Sequence, residues 1–237
     1  MARLLRQRNT LLTILCGNAM HPSLGASHKL CSAPAEPRLK PAIPPHLDSA
    51  QQKLYDNIVD TRIKVVGREA LFDENGGLRG PWNPEVTSPA LGQHLERLAT
   101  AVRTENSLEA RLYEIAILVV GVHWQAQFEW FAHEKIARKA GVAEAAFPLM
   151  KAAVPAEKLE GILQSDEVAV YKLALELMAT KRVSAATYAE TKAALGGDDK
   201  KMVDLCMTMG CYSAVSKLLN MFEVALPQGE PLPFPDA

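Results

Sequence analysis

The sequence is short of cysteine, of long apolar runs, of net charge and of any alternating polar and apolar pattern. Four cysteines in 237 residues are too few and too scattered for a disulfide scaffold. Cys206 and Cys211, five apart in a helical stretch, fall about 140° from one another around the axis, which reads them as core thiols rather than a redox pair. The longest apolar run, IAILVVGV from Ile115 to Val122, is far below the roughly 20 residues of a membrane span, so no membrane partner is expected. Lys and Arg number 26 against 27 Asp and Glu, a net charge of −1. That balance gives no bias toward nucleic acid or anionic lipid and leaves a small-molecule substrate as the expected partner. No strand-like alternation and no G-x-S-x-G nucleophile motif occur.

Acidic residues are missing from Met1 to Ala35, where Arg3, Arg6 and Arg8 interleave with leucines. An acid-poor, Arg-bearing, amphipathic start has the composition of a mitochondrial transit peptide. A mitochondrial location is therefore expected, with a cytoplasmic one as the alternative; a secretory signal and a plain disordered tail are competing readings of the same stretch. The Pro-rich APAEPRLKPAIPP reads as a spacer. Residues 1–36 are assigned to the leader and 37–237 to the folded domain, with regular structure beginning near Leu47.

What is present after the spacer is helix after helix. With 48% hydrophobic residues the chain can bury a substantial core. Asp48 and Ser49 are candidate caps for a first helix that turns Leu54, Ile58 and Val65 or Val66 inward. DENGGLRGPWNPEVTSP reads as a loop carrying Trp82. Ser88 and Pro89 open the next helix, another starts near Ser107, and a break at Gly121 and Val122 separates it from a helix that Gly141 ends. A short helix follows over VAEAAFPLMKAA. Ser165 with Asp166 and Glu167, Ser184, and Asp198 cap three more, the pair Gly196 and Gly197 standing before the last. The fold class is all-α, with a central helical hairpin and about seven or eight helices.

The stretch HWQAQFEWFAHEKIARKAG, His123 to Gly141, carries the chemistry. Ala126, Glu129 and His133 lie at i, i+3 and i+7 and share a helix face. Glu114 sits one helix earlier in a segment apolar nearly all round, hence central to the domain, and could meet His133 across the hairpin. Two carboxylates and an imidazole in a partly dry pocket form a proton-transfer set. Plainer readings stand beside this one: Glu114 paired with Arg111, Glu129 with His133 as a surface helix pair, His123 in a turn, His94 solvated, and Trp124 and Trp130 in the core. As metal ligands, Glu114, Glu129 and His133 are poor in nitrogen for a catalytic zinc, and neither metal nor cofactor is expected.

GGLRGPWNP, SPALGQHLERLATAVR, RLYEIAILVVGVHWQAQFEWFAHEKIARKAGV and GCYSAVSKLLNMFEVALP together resemble the carboxymuconolactone decarboxylase family, in the same order and across nearly all the chain after the leader. The superfamily also holds the alkyl hydroperoxidase D proteins. The resemblance implies an all-helical alkyl hydroperoxidase D-like fold that assembles as a trimer or hexamer. In the hydroperoxidase branch a glutamate is followed at fixed spacing by CxxC and a histidine. Here Glu114 and His133 keep that spacing while Ala126 and Glu129 occupy the cysteine positions, which removes the thiolate and its resolving partner. The decarboxylase branch carries a carboxylate and a histidine there, as this chain does. The resemblance thus implies cofactor-free decarboxylation of a small lactone acid, with His133 as the acid, Glu129 as its orienting or relay partner and Glu114 setting the histidine's proton affinity. Trp82 and Trp124 are expected to wall the pocket and Asn220 to bond a substrate oxygen. A peroxiredoxin-like antioxidant activity and a non-catalytic helical oligomer that binds a small ligand are the alternatives.

Overall fold

A computed structural model describes residues 38–235; the leader expected over residues 1–36 lies outside the described residues. Ten α-helices are formed among the described residues, with no strand beyond two isolated bridges. The first, α1 (Ser49–Val66), begins with a capping box in which Asp48 Oδ1 accepts from the Gln51 amide at 2.9 Å and Gln51 Oε1 accepts from the Asp48 amide at 3.0 Å. Two helix donors otherwise lost at the terminus are satisfied this way. A single turn, α2 (Arg68–Leu71), follows.

The stretch read as a loop around Trp82 contains a helix, α3 (Trp82–Thr87). Pro81 and Pro84 do not forbid it, because both lie at the helix start where their missing N–H groups would have no partner. The next helix, α4 (Pro89–Thr104), starts with Pro at its first position as its sequence suggests. Gly92 of α4 packs against the backbone of α3: a Cβ there would stand 2.1 Å from the Glu85 carbonyl oxygen. Only glycine permits this approach, and the approach fixes where Glu85 sits.

The centre of the domain is α5 (Ala110–Trp124), buried from Leu112 through Gly121 apart from Tyr113. It packs on α6 (Gln127–Lys139), α8 (Ser165–Thr180) and α10 (Asp199–Met221), with α7 (Ala146–Lys151) beside it and α9 (Ala185–Ala194) against α8. The hairpin break falls at Gln125, which takes a left-handed conformation at φ 48°, rather than at Gly121 and Val122. Gly121 stays helical and faces α6, where a Cβ would lie in ordinary contact, 3.6 Å from the Trp130 nitrogen and 3.7 Å from the Glu129 side chain. Ala126 is therefore the N-cap of α6, not a residue on its face.

Caps at Ser184 and Asp198 are seen as expected, whereas α8 is capped by Gln164 and Glu167, leaving Asp166 free to hold Arg111 through two bonds of 2.9 and 2.6 Å. Arg111 is thus occupied elsewhere and does not pair with Glu114. After α10 the chain returns to α6, where Gln127 trades hydrogen bonds of 2.6 and 2.9 Å with the Phe234 backbone and the Phe234 ring meets Trp130 edge-on. Among the described residues no helix is long and apolar enough to cross a membrane. The substitution G92A is expected to destabilise the domain by about 3 kcal/mol, at the top of the range for overpacking, because the clash is with backbone; a urea midpoint no lower than that of the wild type would contradict this.

Candidate active site

Three hydrophobic clusters fill the domain. One surrounds α5, one joins α1 to α3, and a small one holds Phe128, Val215 and Leu219. Where they meet lies a cavity of about 80 Å³. Its wall takes Trp82 from the second cluster, Ala99 from the first and Phe128 and Val215 from the third, and among them stand Glu85, Glu96, Arg103, Glu129, His133 and Tyr212.

His133 is held between two carboxylates. Its Nδ1 lies 2.7 Å from Glu114 Oε2, and its Nε2 lies 3.1 Å from Glu129 Oε1 without the alignment of a hydrogen bond. Glu114 is 0%, Glu129 3% and His133 6% exposed, so a surface helix pair does not describe Glu129 and His133. Glu114 lies behind His133 rather than in the cavity wall. An acid is tolerated in this apolar helix because α6 brings His133 within hydrogen-bond distance of it. The Tyr212 ring stands edge-on to the imidazole at 4.8 Å and its hydroxyl accepts a 3.0 Å bond from Arg103 Nη1.

Burial disfavours the imidazolium, but the charges of Glu114 and Glu129 outweigh it, so His133 holds its proton more tightly than a free histidine. Burial pushes the Glu129 carboxyl up to about 7, only partly opposed by His133. Glu129 and His133 both hold their protons more tightly than free side chains do, so their titrations are coupled. With the Nδ1 proton on the Glu114 side, Nε2 faces Glu129 and the cavity.

On the other side, Arg62 reaches Glu96 at 2.5 Å, and Thr100 bridges the two. Burial raises Glu96 to about 7 against hydrogen bonds from Thr100 and Trp82; the buried guanidinium in contact decides for the anion. Burial and the nearby Glu96 push Glu85 up to about 9, and its Oε2 has no hydrogen-bond partner. Glu85 thus keeps its proton. Arg103 has no carboxylate in salt-bridge contact among the described residues.

Of the residues singled out from the sequence, Glu114, Glu129, His133 and Trp82 are brought together. Trp124 and Asn220 are not in the cavity wall: exposed Asn220 donates a 2.6 Å bond to the Trp124 carbonyl, satisfying the end of α5. Glu85, Glu96, Arg103 and Tyr212 went unnoticed. Glu85 falls in the stretch read as a loop, and Arg103 stands in the last turn of α4 with no local pattern that singles it out. Cys211 is buried, its thiol pushed by burial up to about 12, while Cys206 is exposed rather than in the core. No group of three or more His, Cys, Asp or Glu is placed to hold a metal among the described residues.

Comparison with known proteins agrees with the fold. The chain superposes on the crystal structure of an uncharacterized peroxidase-related protein from Silicibacter sp. TM1040 with a TM-score of 0.59, at 13% identity over 84% of this chain and 95% of that one. The all-helical, alkyl hydroperoxidase D-like fold is shared. No protein-family description matches the sequence, and no curated protein does either.

The buried acids set the sign of a pH effect. Folded Glu85 and Glu129 keep protons to about 9 and 7, whereas an ordinary Glu at 4.5 has already lost them; His133 likewise releases its proton later when folded. The native state binds more protons over this window, so stability falls as pH rises through it. Chemical denaturation at pH values from about 5 to about 9 should give a declining unfolding free energy, with a shallower decline in E85Q; a rising curve would contradict the assignment.

Proposed function

We propose that the cavity is the active site of a cofactor-free lyase that removes CO2 from a small carboxylated lactone or a related acid. The observation that carries this reading is His133, held between two buried carboxylates with Nε2 toward a cavity that also presents Arg103. Loss of CO2 breaks a carbon–carbon bond and leaves the electron pair conjugated into a carbonyl as an enolate. A proton must then reach carbon, and His133 is the donor, with Glu129 relaying its replacement and Glu114 keeping the imidazole charged. Water restores the proton. Arg103, bonded to Tyr212 and without a carboxylate partner, would receive an anionic group retained in the product. A carboxylate placed instead among Val66, Pro81, Ile136 and Val215 would lose its hydration and its reluctance to leave.

The structural neighbour is described as peroxidase-related, which supplies the second reading, thiol-dependent peroxide reduction. Against it stand the absence, among the described residues, of any cysteine from the cavity wall and the elevated affinity of Cys211 for its proton. The chain is also proposed to assemble as a homo-oligomer, trimer or hexamer, for which exposed Val203 and Met207, one turn apart on α10, offer apolar surface. A mitochondrial location rests on the leader's composition.

The test follows CO2 release from 4-carboxymuconolactone by the purified protein, with a thiol-driven peroxide assay in parallel. H133A should lower kcat by at least about 100-fold, the usual worth of a general acid. E114Q should shift the loss of activity at high pH to a lower pH, because the anion that stabilises the imidazolium is gone. Peroxide consumption without lactone turnover would replace the lyase reading, and light scattering that gives a monomer would remove the oligomer.

A further inference from the structure

The lyase reading uses the hairpin side of the cavity and leaves Glu85, on the opposite helix, unexplained. Burying a carboxyl group without a partner costs free energy, and Glu85 is 2% exposed with Oε2 unpaired. The position is not accidental, because Gly92 admits the α3 backbone at a distance no other residue allows. A role as a mere acid at the start of α3 would be served as well by a side chain turned to solvent. Neither neighbouring cation bonds to it: Arg62 faces Glu96, and Arg103 donates one hydrogen bond to Tyr212. No residue of the cavity wall completes the Glu85 hydrogen bonds, and Glu85 is itself one of the residues that line the cavity.

We infer that Glu85 is a further catalytic residue, whose carboxylic acid donates a hydrogen bond to the carbonyl oxygen of the bound lactone or acid. This deepens the lyase reading and rests on it for the identity of the ligand. As CO2 leaves, negative charge gathers on that oxygen. A fixed donor in a water-poor site, placed there before the reaction, stabilises the charge without reorganising solvent. A neutral acid suits the task better than a carboxylate, which would repel the developing enolate, and the Glu96 anion beside it keeps the proton on Glu85. The cavity then contacts its ligand at three chemically distinct points: a proton donor to carbon at His133, a cation at Arg103 and a neutral donor at Glu85. A small acid bearing a carbonyl oxygen, one carboxylate that stays and a second that leaves as CO2 satisfies all of them.

The test uses the full chain, E85Q and E85L, with the saturated lactone acid γ-carboxy-γ-butyrolactone as the binding probe. Calorimetric Kd, Tm, CO2 release from 4-carboxymuconolactone and the infrared carboxyl band at pH 7 are measured. E85L should raise Tm, because an unpaired buried acid is gone, yet weaken probe binding and lower kcat by at least about tenfold each. E85Q, which retains a donor of the same shape, should recover most of the binding. A purely structural role would not give opposite signs in Tm and affinity. The wild-type infrared spectrum should contain a protonated carboxyl band that E85Q abolishes and that moves on adding probe. Unchanged Kd in E85L, or no such band in the wild type, overturns the inference. Should E85L not fold, the E85Q infrared comparison alone decides it. Probe binding without CO2 release sinks the lyase reading alone; turnover indifferent to E85Q and E85L sinks only the present one; a wild type that does not bind the probe sinks both.

Discussion

The contact on which the structure depends is the one between His133 Nδ1 and Glu114 Oε2, 2.7 Å long and inside the most apolar helix of the domain. A polar side chain at the middle of α5 costs free energy unless a partner bonds to it. The only partner α6 presents to it is His133. From this follow the close crossing of the two helices at Gly121, the tight turn through Gln125 and the burial of Glu129 beside the imidazole. Removing His133 would leave Glu114 without its partner in a dry interior. The polar trio is thus as much a constraint on packing as a device for moving protons.

Caps and chemistry on single helices were legible in the sequence; of the relations between helices, the meeting of Glu114 with His133 across the hairpin was legible and the rest were not. Asp48, Ser184 and Asp198 announce helix starts because their side chains satisfy backbone groups two or three residues away, a purely local effect. Glu114, Glu129 and His133 stood out because acids and imidazole in an apolar setting demand a reason. Gly121 misled, since a glycine in a helix reads as a break whether it ends the helix or admits a neighbour. The two prolines flanking Trp82 misled for a related reason: their tolerance at a helix start depends on where that start falls.

The far wall of the cavity was hidden more deeply. Glu96 stands between His94 and Arg97, and its own stretch looks like a solvated face; only the arrival of Arg62 from α1 makes it a buried ion pair. Glu85 had no helical pattern to place it. Asn220 and Trp124 show the converse. A polar residue and an aromatic near the site read as ligand contacts, yet their hydrogen bond closes the end of α5. Which role a side chain takes was decided by long-range packing that no local window contains.

Glu114 and His133 are 19 residues apart, within one hairpin, while Glu85, Glu96 and Arg103 come from a separate stretch of chain. The two halves of the cavity can therefore change on different schedules. Substitutions in α3 and α4 can reshape what the cavity accepts while the hairpin trio stays intact, so that descendants of one ancestral chain could diverge in diet before they diverge in chemistry.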